Sequence, residues 1–215
     1  MIQFKLFNIP VRIEPWFFIT LLFIGGGLRA TSAQDWIGVA IFIFAGFLSI
    51  LVHELGHALT IRKFGQPTTI ALVSFGGYAS HPQNVFTRPQ SFLVTAAGPV
   101  IQIALGLLAF AILRFAPIPE TSLLLVYLLY LGWISIIWAV FNCFPIFPLD
   151  GGRMLAAVLG DKRQKVVHGT GIVFSAAIAV LAFQYLGSWI ISLFMIYFIW
   201  LNWQGMQGTA APRGR

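Results

Sequence analysis

Charge is what this 215-residue sequence has least of: 9% of its residues are Asp, Glu, Lys or Arg, against 59% that are hydrophobic. A soluble domain carries about a quarter of its residues charged, so six acids and thirteen bases cannot keep a globule of this size wet. Cysteine is almost missing. The lone Cys143 excludes an intrachain disulfide framework and leaves the redox compartment unread. The formal charge is +7, but the bases are scattered between apolar runs. They form no dense basic face, which excludes nucleic acid as a partner. No internal repeat is visible. Residues 1–30 also lack the short apolar core and small-residue site of a cleaved signal peptide.

What the chain does have is long apolar runs. Six of them approach the roughly 20 residues that cross a hydrocarbon core: 13–29, 36–61, 91–115, 121–141 with a broken continuation to 160, 166–186 and 188–204. Trp16, Trp36, Trp189, Trp200 and Trp203 lie near their ends, as interfacial anchors do. The expected fold is an all-α polytopic membrane protein of about six transmembrane helices, the fourth of them broken. Residues 64–90 depart from the pattern. Glycines and prolines there punctuate the β-branched run 68–73, which suits one or two membrane-associated strands with a turn near Gly76-Gly77, or an ordinary loop. The whole of 1–215 reads as one membrane-embedded domain with a catalytic core of about 36–160 and a short polar tail at 205–215.

Placing both termini in the cytoplasm puts eleven of the thirteen Lys and Arg on that side, leaving only Arg29 and Arg114 outside. Such an asymmetry is what the positive-inside rule expects of a correct topology.

The chemistry is concentrated in His53-Glu54-Leu55-Gly56-His57, inside the second run. Histidines four residues apart share one helix face and can both ligate one metal ion, and Glu54 beside them can act as a general base without being a ligand. Three ionisable groups within five positions of an apolar span would each cost about 2.5 kcal/mol or more if unpaired. A bound metal offsets that cost better than a casual helix contact does. His53 lies nine residues before Arg62, about 13 Å along a helix, so the site falls nearer the cytoplasmic face.

A hydrolytic zinc site normally has three protein ligands and an open position. His81, His168, Glu14, Asp35, Glu120 and Asp161 are candidates for the third, but all sit near expected membrane edges. Asp150 instead follows an apolar stretch that Pro145 and Pro148 prevent from being a continuous helix. Such a break must line a cavity or meet a partner. Asp150 is there either a metal ligand or the N-cap of the helix that follows. Asn142, before the break, reads from its position as a helix C-cap or turn residue. Cys143 reads as a packing residue.

HELGH at 53–57 and Asn142 with Pro145, Pro148 and Leu149-Asp150-Gly151-Gly152 together resemble the site-2 protease family of intramembrane zinc metalloproteases. The resemblance covers residues 36–160. It implies one Zn2+ held by His53, His57 and Asp150, with Glu54 as general base and Asn142 assisting at the substrate or its oxyanion. It further implies cleavage of a membrane-protein substrate in or near a transmembrane segment, releasing a cytosolic fragment. Ala97-Gly98-Pro99 resembles the family's small-residue segment in the third span. Relatives often continue that segment to an Asn; this chain has Gln102, to which no role is assigned. No PDZ or CBS domain is expected, and the compact core resembles bacterial or archaeal members. A rival reading, a divalent metal transporter, would need ligands through both halves of the membrane, and the outer half offers none that match.

Overall fold

The first thirteen residues form a hairpin. In the computed structural model, which describes residues 1–208, β1 (Ile2–Leu6) and β2 (Ile9–Ile13) pair antiparallel with Leu6 opposite Ile9. Phe7 and Asn8 make the two-residue turn with φ of 49° and 60°, the doubly left-handed geometry that matches strand twist. Along β2, Ile9, Val11 and Ile13 are buried and Pro10 and Arg12 exposed, the period of two of a strand with one face covered. β2 then pairs in parallel with β3 (Thr69–Val73), and β3 antiparallel with β4 (Gly76–Ser80), giving the sheet order β1-β2-β3-β4. The expected strand at 68–73 is present. The turn falls at Ser74-Phe75, two residues before Gly76-Gly77, which open β4 instead.

The expected span at 13–29 is divided between β2 and a short helix, α1 (Pro15–Ile24). Pro15 starts α1, where its missing N–H removes no hydrogen bond, and Gly25-Gly26-Gly27 end it. Ten residues rise about 15 Å, half a hydrocarbon core.

Among the described residues, five helices are long and apolar enough to cross: α2 (Ala33–Lys63), α3 (Arg88–Phe115), α4 (Leu123–Asn142), α6 (Gln164–Leu186) with the 3-10 turn before it, and α7 (Trp189–Gln207). Between α4 and α6 lies α5 (Asp150–Leu159). The polar tail expected from residue 205 is helical to Gln207; residues 209–215, with Arg213 and Arg215, lie outside the described residues.

The described residues make two compact units, Met1–Val85 with Ala97–Val140, and Phe86–Ala96 with the chain from Phe141 onward. In the first, the sheet's buried face (Ile9, Val11, Ile70, Leu72) and Phe17 and Leu21 of α1 close over Ile50, Leu51, Leu55 and Ala58 of α2. That is the stretch of α2 carrying HELGH. A Ser32–Asp35 capping box holds the start of α2, and Arg62 and Lys63 stand in its last turn, where cations complement the helix dipole. Arg62 also donates to the carbonyl of Phe7, tying the hairpin turn to this end of α2.

In the second unit α6 and α7 form a hairpin closed by Gly187 in the left-handed conformation. Ile146 of the broken segment is buried with Met195 and Phe198 of α7. Asn202 of α7 donates to the carbonyls of Phe147 (2.7 Å) and Phe198 (2.8 Å), answering the demand that an interrupted helix find partners. The Arg88 guanidinium donates to the carbonyls of Ala157 and Val158 at the end of α5.

Candidate metal centre

α2 runs without interruption through His53, Glu54 and His57, and all three are buried (4%, 4% and 8% exposed). One helical turn apart, the imidazoles meet edge to face with their Nε2 atoms 3.0 Å apart. Two nitrogens each about 2.05 Å from a tetrahedral zinc stand roughly 3.3 Å apart, so the pair is spaced for one such ion with little adjustment. Among the described residues, one group of three His, Cys, Asp or Glu side chains is suited to one metal: His53, His57 and Asp150, whose ligand atoms lie within 4.8 Å of one another. Two imidazoles and a carboxylate are the donor set of a borderline metal, and of zinc in particular.

Asp150 is the first residue of α5 and is buried; the N-cap position belongs to Leu149. A Cβ on Gly151 would lie 2.1 Å from the Cys143 carbonyl oxygen. That glycine therefore lets α5 begin directly beneath the broken segment.

The other third-ligand candidates are engaged elsewhere or exposed. His168 is buried with Nδ1 3.1 Å from the Asn202 Oδ1 and its ring edge-on to Phe147. His81 is exposed, beside the carbonyl of Pro82. Glu14 lies 3.6 Å from Arg12, and Asp35 caps α2. Glu120 and Asp161 are exposed. Asn142 is the last residue of α4, half-buried, and Cys143 next to it is exposed.

Neighbouring backbone crowds the HELGH face. A Cβ on Gly56 would come 2.6 Å from the Ala97 carbonyl oxygen, and one on Gly98 would come 2.3 Å from His57 Nε2. The small-residue segment of α3 thus packs directly on the metal-binding turn. From the sheet side, a Cβ on Gly77 would lie 2.7 Å from Glu54 Cγ, so β4 passes over the carboxylate.

Gln102 is the residue that sequence reasoning missed. It is fully buried, its Oε1 2.8 Å from His53 Nδ1 and its Nε2 2.9 Å from the hydroxyl of Ser49. The available signal was a lone amide in an apolar span, one turn after Gly98. In lipid, such a group needs a partner.

A family model described as peptidase family M50 matches residues 41–121 and 118–184. The sequence is 28% identical over 205 residues to a zinc metalloprotease of Methanocaldococcus jannaschii, covering 93% of this chain and 58% of that protein. It is 33% identical over 164 residues to a Synechocystis sp. protein, covering 72% of this chain and 43% of the other. The chain therefore spans about half the length of these curated relatives. Among solved structures, the site-2 protease from Methanocaldococcus jannaschii matches with a TM-score of 0.68 and 25% identity, over 100% of this chain and 97% of that one.

Proposed function

The chain belongs to peptidase family M50, the site-2 proteases, and on that premise we propose that it is a zinc-dependent endopeptidase acting on membrane proteins. It hydrolyses a peptide bond within or near a transmembrane segment and releases a fragment to the cytosol. The observation that carries this reading is the buried donor group of Asp150, from α5, with His53 and His57, which share the helical turn of Glu54 on α2.

His53, His57 and Asp150 would hold the ion. Zinc in such a site supplies a Lewis acid for the carbonyl and lowers the pKa of water toward neutrality. Glu54, buried next to His53, takes a proton from the attacking water and returns it to the leaving amine. Asn142 donates to the oxygen on which charge develops, a contribution typically of a few kcal/mol. The peptide must be locally unwound, since a helix ties its amides into i→i−4 bonds. β4 is an edge strand of the sheet and passes over Glu54, so it can replace those bonds by strand addition.

The orientation that suits this chemistry puts both termini in the cytoplasm and the centre nearer that face, with the basic end of α2 at the cytoplasmic interface.

Zinc content and cleavage, measured together on purified protein, test the assignment. Glu54→Gln is expected to bind one zinc and to lose cleavage by at least about a hundredfold, whereas His57→Ala loses both. Ordinary cleavage by either variant would sink the reading.

A further inference from the structure

Behind the metal-binding turn lies a chain of buried polar side chains that the proposed chemistry does not use. Ser49, His53 and His57 succeed one another at four-residue intervals on one face of α2, and Gly98 and Gln102 do the same on α3. Because Gly98 has no side chain, α3 approaches closely enough for Gln102 to reach between Ser49 and His53. The Ser49 hydroxyl in turn lies 2.9 Å from that of Ser135 on α4. Ser49, Gln102 and Ser135 are all fully buried.

The direction of these hydrogen bonds follows from which groups can donate. The Gln102 Nε2 faces the Ser49 hydroxyl at 2.9 Å and the Ser49 backbone carbonyl at 3.4 Å. A carbonyl only accepts, so the amide NH2 belongs on that side and Oε1 belongs toward His53. Reversing the amide would set two oxygens against each other in a buried site. The Gln102 Oε1 therefore accepts from Nδ1–H of His53 at 2.8 Å. An imidazole that carries its proton on Nδ1 leaves Nε2 with a lone pair, and Nε2 is the atom facing His57.

We infer that Gln102 is a positioning residue for the metal centre: by accepting from Nδ1–H it holds His53 in the Nε2-ligating tautomer and fixes the plane of the ring. Ser49 and Ser135 brace the amide in turn. This rests on His53 being a ligand, as proposed above, and adds a partner on another helix that orients it. Groups that orient a metal-bound imidazole in this way typically account for ten- to a hundredfold in metal affinity.

The test is a zinc competition titration against a chromophoric chelator, on wild type, Gln102→Met and Gln102→Glu. Monodispersity and thermal melting of the metal-free forms serve as fold controls. Met has the length of Gln and no carbonyl to offer, so its zinc dissociation constant is expected to rise ten- to a hundredfold. Excess zinc should then restore most of its cleavage, which it cannot do for Glu54→Gln. Glu keeps the acceptor, and Gln102→Glu is expected to stay within about tenfold of wild type. Zinc binding by folded Gln102→Met within twofold of wild type would overturn the inference. Should the Met variant not fold, nitrogen-15 spectra of the histidine rings in metal-free wild type decide the matter. A His53 proton on Nδ1 supports the inference and one on Nε2 refutes it. Failure of the wild type to bind zinc, or zinc binding by His57→Ala, would strike the metal reading itself.

Discussion

At the residue scale, the site is defined as much by missing side chains as by the groups proposed to do chemistry. Gly98 and Gly77 face the two halves of the HELGH motif, one against the His57 ring and the other against the Glu54 side chain. They therefore make separable predictions. Gly98→Ala puts a methyl carbon 2.3 Å from Nε2 of His57. The imidazole can escape only by turning away from its ligand position, so zinc affinity is expected to fall more than tenfold. Crowding of this kind typically also costs about 1–3 kcal/mol of stability. Gly77→Ala displaces Glu54 instead, and is expected to keep zinc and to lower the cleavage rate. Equilibrium dialysis for zinc and a cleavage assay on both variants check the pair; parallel losses in the two would contradict the separation. The grouping of His53, His57 and Asp150 was legible in the sequence because an ionisable group in an apolar run needs a partner. Gln102 was not, since its partner lies 49 residues away on another helix. Nothing in local spacing points across that distance.

At the element scale, legibility followed the physics of each segment. Long apolar helices announce themselves by length, and α2, α3, α4, α6 and α7 fall within a few residues of where composition places them. The hairpin β1–β2 did not. Its alternation is only five residues per strand, its turn is Phe7-Asn8 with no glycine, and its apolar face merges with the run that becomes α1. The broken segment was legible as a break, from Pro145 and Pro148, though its support was not. That support comes from Asn202, fully buried on α7, whose amide donates to Phe147 and Phe198 and whose Oδ1 meets His168. Asn202→Leu keeps the volume and removes all three bonds, leaving the Phe147 carbonyl of the break without this donor. Each buried group left unsatisfied costs about 1–3 kcal/mol. The expected result is a melting temperature in detergent lowered by several degrees. Melting unchanged from wild type would mean that the break is held by other contacts.

At the scale of the whole molecule, the question is how a chain with five long helices among its described residues can have both ends on one side, as proposed above. An odd number of crossings would separate the ends, so in the proposed topology the N-terminal segment makes the sixth, although α1 is only about 15 Å long. The sheet supplies the answer. β2 pairs with β3, which follows the basic end of α2, and Arg62 holds the hairpin turn. Residues 1–13 are thereby tied to the side on which α2 ends. The sheet also packs on Ile50 to Ala58, four to twelve residues before Arg62, or about 6–18 Å along the helix from it. A sheet set that deep leaves α1 only the remaining part of the bilayer to cross, which ten residues and the glycine turn can do. Single cysteines in a Cys143→Ala background give the test, using a membrane-impermeant maleimide on sealed vesicles of known orientation. Gln83→Cys and Lys162→Cys, in exposed positions after β4 and before α6, are expected to label from the cytoplasmic side. Arg29→Cys and Thr121→Cys, exposed after α1 and before α4, are expected to label from the opposite side. A cysteine at Gln3, on exposed β1, separates this topology from a five-crossing one. Labelling with Gln83 supports the paired sheet as the anchor of the N-terminus, whereas labelling with Arg29 would mean that the sheet pairing and the membrane topology cannot both hold.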